Sequence, residues 1–208
     1  MIYNIPNDNQ TRAKFNAYIG LYPHWGYYLA AYKKAFEVLI KEIYDTGHHV
    51  DHLSYPILFI VRHCLELGFK DNIRYFSKYS KKNDFKNAGH NLESLFKAFK
   101  LHIKETIQIL KENYKIKIDK DDMKEFEDYC NEVEKLTYIF HSLDENSDRF
   151  RYPLDKNDNN SFDYKKTINL IDIIDLFKKS MVLLEFTKCL FEKYTDILMK
   201  FKNSTNLK

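Results

Sequence analysis

From Trp25 to Tyr44, apolar side chains recur at intervals of three and four: Tyr28, Ala31, Tyr32, Ala35, Phe36, Leu39, Ile40 and Ile43. This is the repeat of an α-helix with one buried face, because the 3.6-residue turn stacks positions i, i+3 and i+4. Similar patterns follow along the chain with few interruptions, since its 208 residues contain only five Gly and four Pro. Gly and Pro are the strongest local punctuators of structure, so their scarcity predicts an all-α protein. A chain of this length buries enough apolar surface to stand without disulfide or metal staples. It reads as a single domain over 1–208 with a core of about 25–202, built as an up-and-down bundle of about five long helices.

The second predicted helix runs from Ser54, read as its cap with Pro56 in the first turn, to Tyr79. It is the most apolar helix and is expected at the centre. A lysine-rich loop, "SKYSKKNDFKNAG", leads to a third helix that begins at His90 or Asn91, and the two helices read as antiparallel neighbours. Asp119 is the expected cap of a fourth helix that ends near Phe140, and a fifth spans Lys165 to Lys202. Between these last two lies the one long insert, 142–165, where "FRYPL" and "SFDY" flank "DKNDNN". That order predicts a short loop or β-hairpin, and an insert of this length in a compact bundle is more often functional than idle.

Several function classes are disfavoured. The N-terminal "MIYNIPNDNQTRAK" lacks the basic-then-apolar order of a signal peptide, and no apolar run reaches a membrane span of about 18 residues, so a cytoplasmic protein with no membrane contact is expected. Cys64, Cys130 and Cys189 are odd in number and lie in apolar helical patterns, which predicts reduced, buried thiols. There is no phosphate-cradling Gly loop, no G-x-S-x-G, no HExxH and no CxxC. His48, His49 and His52 form an H-H-x-x-H run, but no Cys joins them, and no metal or other cofactor is expected. The net charge of +3 carries no argument for nucleic acid, although a local basic face remains open. Arg is rare beside Lys, and of the five Arg, three (Arg62, Arg149 and Arg151) fall in two segments that stand out.

The first of these is "YPILFIVRHCLELGFK". Arg62, Glu66 and Lys70 are spaced i, i+4 and i+8, so they form a single polar stripe on an otherwise apolar helix. One reading is an ion-pair ladder that satisfies itself in a groove between helices, which would need further partners to be comfortable. The other is a cleft in which Arg62 supplies a cation and adjacent His63 an imidazole, the groups that hold a phosphate and move a proton. His90, in "AGHNLESL", either caps and packs at its helix start or faces Arg62 and Glu66 across the helix interface. In "DENSDRFRYP", Asp148, Arg149, Arg151 and Tyr152 suit phosphate and base contacts, and equally suit pairing with nearby acids or docking of the loop. The candidate catalytic set is therefore Arg62, His63, Glu66 and His90, and the candidate substrate-binding set is Lys70, Arg149, Arg151 and Tyr152.

The order "YPILFIVRHCLELGFK", then "GHNLESL", then "SDRFRYP" resembles bacterial members of the HEPN superfamily over roughly residues 25 to 200. The resemblance implies a helical bundle, homodimerisation, and a place in toxin or phage-defence systems with RNA or nucleotide as target and an antitoxin or companion protein as partner. It further implies a metal-independent endoribonuclease with an Arg-x(4–6)-His motif. The sequence departs from that motif: none of Arg12, Arg62, Arg74, Arg149 and Arg151 is followed by His at that spacing. Cleavage would then require Arg and His from different segments, for example Arg62 or Arg151 with His63 or His90. The alternative implied by the departure is a non-catalytic, dimeric HEPN-like binding or regulatory module.

Overall fold

The structure, a computed structural model, describes residues 5–80, 89–145, 147–163 and 167–205. Part of the lysine-rich loop (81–88) and the end of the insert (164–166), including the expected start of the last helix at Lys165, lie outside the described residues. Among the described residues the chain is all-α, with six helices and no strand: α1 (Asn9–Ala13), α2 (Trp25–Thr46), α3 (Val50–Phe76), α4 (Leu92–Tyr114), α5 (Lys120–Leu143) and α6 (Leu170–Thr205). The short α1 has no counterpart in the sequence reading, because five residues carry no apolar period and this helix buries nothing.

Helix α3 starts four residues before Ser54, and the cap is His49 in a left-handed conformation (φ 63°). Ser54 instead donates to the Asp51 carbonyl at 2.8 Å, and Pro56 lies inside the helix, past the first turn. The expected Asp119 cap forms, its side chain accepting from the Asp121 amide at 2.7 Å, and Asn91, expected as a possible first residue of its helix, is the cap instead, accepting from the Ser94 amide at 2.9 Å. The hairpin expected in the insert is reduced to one antiparallel bridge between Leu154 and Asn160. Asp155 closes that turn, with its carboxylate accepting from the amides of Asn157 and Asn159 at 2.8 and 3.0 Å. A turn organised by one Asx side chain needs no flanking ladder.

Helix α3 packs against α2, α4 and α6 and is buried through most of its length from Ile57 to Phe76. Its phenyl rings join a chain across four helices, with ring centroids 5.7 Å apart for Phe69–Phe99, 6.1 Å for Phe99–Phe126, 5.7 Å for Phe126–Phe191 and 5.8 Å for Phe76–Phe191. Tilted and edge-on pairs of this kind add to the apolar burial of each ring. Gly68 lets α6 approach closely, since a Cβ there would stand 2.6 Å from Leu184 Cδ1. Buried Asn72 fastens the same crossing, with its amide donating to the carbonyls of Gly68 and Leu184 at 2.9 and 2.8 Å.

Helix α2 is less buried than its pattern predicts. It buries Leu29, Phe36 and Ile40 against the bundle, while Tyr28, Ala31 and Ala35 face outward. Cys64 and Cys130 are buried, and burial pushes both thiols up to about 12; Cys189, expected buried, is exposed. Among the described residues no helix is long and apolar enough to cross a membrane.

Candidate functional site

Arg62 is only 1% exposed, so its charge has to be answered by protein groups. Its Nη2 donates to the His90 carbonyl at 2.8 Å, its Nε to the Asp144 carbonyl at 3.1 Å, and its Nη1 to Glu66 Oε2 at 3.4 Å. The Asp144 carboxylate adds a charge partner, with Oδ2 3.5 Å from Nε. Burial lowers the guanidinium pKa, and the charges of Asp144 and Glu66 oppose that drop. One side chain on α3 thus ties together the residue before the α4 cap and the C-terminal cap of α5.

Asp144 is the residue that sequence reasoning missed. It opens the segment "DENSDRFRYP", and its Oδ1 accepts from the amides of Asp148 and Arg149 at 2.9 and 3.2 Å. A signal was present: a buried Arg with a single i+4 carboxylate is under-compensated, and Asp144 is the first acid beyond the predicted end of the fourth helix.

Glu66 is also buried, and its carboxylate is fully engaged. Oε1 accepts from Lys70 Nζ at 2.7 Å and from His90 Nδ1 at 2.7 Å, while Oε2 takes Arg62. Burial raises this carboxyl, but Lys70 and His90 outweigh it and hold the group below its ordinary 4.5. Because an ionised carboxylate can only accept, Nδ1 of His90 is the donor to Glu66, and in the neutral ring Nε2 is then the acceptor. The His90 side chain is 69% exposed, whereas Lys70 keeps 16% exposure beside it. The ion-pair ladder is present, with His90 and Asp144 as the further partners it needed: Arg62 and Glu66 form a buried base, and His90 and Lys70 form its outer face, while the Arg62 cation is turned to protein groups.

His63 lies beside this group without joining it. Its ring stands edge-on to Tyr32 at 4.5 Å and stacked on Phe59 at 5.8 Å, and it makes no hydrogen bond to any described residue. Desolvation lowers its pKa; Glu66 pulls the other way, and the positive charges of Lys70 and Arg62 reinforce the drop.

The insert loop places its basic side chains outward. Arg149 Nη1 donates to the Leu143 carbonyl at 3.3 Å and Arg151 Nε to the Ser147 carbonyl at 2.7 Å, so both bond to backbone close by in sequence. Arg151 also stands over the exposed Tyr152 ring at 5.4 Å, and its charge reaches Arg62. Asp148 receives no side-chain pairing from either arginine among the described residues. His48, His49 and His52 sit at the turn between α2 and α3 with neighbouring ring centroids 6.4 and 6.2 Å apart. Among the described residues no three His, Cys, Asp or Glu side chains are grouped as metal ligands.

The arrangement offers an oriented imidazole with an open nitrogen, a neighbouring ammonium, and a loop carrying Arg and Tyr. Such a set can take a proton from a hydroxyl and hold an anion. No family model, curated protein or solved structure matches the chain.

Proposed function

We propose that this protein is a HEPN-like RNA-targeting protein, an up-and-down helical bundle acting as a metal-independent endoribonuclease in a toxin or phage-defence setting. The observation that carries this reading is the 2.7 Å contact from His90 Nδ1 to Glu66 Oε1 on a ring that remains 69% exposed. In the neutral ring that contact fixes the proton on Nδ1 and leaves Nε2 as the base. His90 Nε2 takes the 2′-hydroxyl proton, and the 2′-oxygen attacks the adjacent phosphorus. The bond from phosphorus to the 5′-oxygen breaks, and the leaving oxygen takes up a proton, giving a 2′,3′-cyclic phosphate and a 5′-hydroxyl. Lys70 offsets charge on the non-bridging oxygens, and Arg151 supplies a second cation from the loop. Arg62 and Glu66 are positioning residues in this scheme, since both are buried and engaged with protein groups.

The test is expression of the wild type and His90→Ala, followed by analysis of cellular RNA and of purified RNA incubated with protein in chelator. Growth arrest and RNA cleavage that disappear in His90→Ala are expected. Intact RNA with the wild type under both conditions would overturn the proposal.

A second reading has its own observation. The outer side of α2 and the segment before it expose Tyr18, Ile19, Leu21, Tyr27, Tyr28 and Val38, with Ile19 92% exposed. These exposed apolar side chains supply the kind of surface on which an interaction face is built. It suits a non-catalytic dimeric module, or one that docks a companion protein such as an antitoxin. Light scattering reads this directly: a monomer at all concentrations, with no companion bound, would count against it.

A further inference from the structure

The polar row of α3 continues past Lys70. Arg74 extends it by one more four-residue step, about 6 Å of helix rise, and Lys78 follows in the turn just past the end of the helix. They lead into a cleft of about 430 Å³ between the start of α2 and the end of α3, lined among others by Trp25, Asp71, Arg74, Tyr75, Lys78 and Lys188. Lys188 is matched there by an ion pair with Asp71. Arg74 and Lys78 have no carboxylate partner among the described residues, so the cleft keeps two unopposed cations.

Its walls are aromatic and held in place. The Tyr75 hydroxyl bonds Thr195 Oγ1 at 2.8 Å, its ring meets Phe76 edge-on at 5.0 Å, and Lys78 stands over it at 5.8 Å. Trp25 is half-buried against the core. Flat rings beside unopposed cations match the two parts of a nucleotide, a base that stacks and a phosphate that needs positive charge. A bare anion would leave the rings unused, and an apolar ligand would strip water from Arg74 and Lys78 without answering their charge.

We propose that this cleft binds one nucleotide of a single-stranded RNA, with the base against Trp25 or Tyr75 and the phosphate on Arg74 and Lys78. The proposal rests on the RNA reading above for the identity of the polymer, and on side chains that the His90 site does not use.

Trp25 is the only Trp in the chain, so its emission reports on the cleft directly. The full-length protein is titrated with adenosine 5′-monophosphate and with a short 2′-O-methyl oligoribonucleotide that cannot be cleaved. Both quench Trp25. The double variant R74A/K78A, which alters two exposed side chains, binds both about tenfold more weakly or worse. Its salt dependence for the oligonucleotide is shallower by about 0.7 in log–log slope for each lost phosphate contact. His90→Ala leaves the quenching by adenosine 5′-monophosphate unchanged. Unchanged Trp25 emission, or equal affinity of R74A/K78A and wild type, overturns the proposal. If the oligonucleotide binds through Lys70 and His90 alone, the cleft assignment falls and the RNA reading stands. If it does not bind at all, both fall.

Discussion

Arg62 engages all three nitrogens of its guanidinium with the protein: two carbonyls and two carboxylates from three separate parts of the chain. Removing it takes one cation from Glu66, which keeps Lys70 and His90, and leaves the buried Asp144 carboxylate without its charge partner, so Arg62→Ala should lower stability by about 3–5 kcal/mol in a denaturant melt. Arg62→Lys should recover little of this, because an ammonium cannot present the planar fork that reaches all of these acceptors. Equal melting of Arg62→Lys and wild type would show that the junction carries no such weight. His63 gives a pH signature. Its folded pKa lies below the ordinary 6.5, so on acidification the unfolded chain takes up this proton first. That contribution to stability is therefore complete above about pH 6.5 and is lost as pH falls through the folded value. Glu66 acts in the same direction at lower pH, below its ordinary 4.5. Thermal melts from pH 7 to pH 5 should show a falling midpoint in wild type and a flatter profile in His63→Phe, where the ring stays between Tyr32 and Phe59 without a titrating group.

The sharpest constraint between elements is the crossing of α3 and α6. Gly68→Ala places a methyl group 2.6 Å from Leu184 Cδ1, so the helices must separate or Leu184 must leave its position. A cost of about 1–3 kcal/mol is expected for such overpacking. Leu184→Ala removes the closest atom and leaves only Cβ at 3.0 Å, so the double variant should be less destabilised than the two single costs predict. Strict additivity in denaturant melts would place the contact elsewhere. The long helices were legible because each buries an apolar face, and the Asp119 cap because its side chain has a local backbone partner. The start of α3 was not, since Ser54 has several ways to bond locally and its sequence does not show that the helix already began at Val50. The hairpin was misjudged for a similar reason: Asp155 makes a turn by itself, without strands on either side.

For the molecule as a whole, the core lies in α3 to α6, with α2 laid against it. No described residue before Trp25 is buried, so removing residues 1–19 should leave the unfolding midpoint unchanged while altering any self-association. A large drop in the midpoint would reveal a packing role for this segment. The stripe of Arg62, Glu66 and Lys70 was legible because helical spacing is a local property. Its division into a buried base and an exposed His90 was not, because that depends on contacts between residues 28 and 82 positions apart. The same separation sets a timetable for the growing chain. Arg62 and His90 leave the ribosome well before Asp144, which must emerge before the guanidinium can gain its last partners and the insert loop its anchor. A chain still being translated therefore has the imidazole and its carboxylate before it has Asp144, and the junction at Arg62 is complete only once α5 has been made.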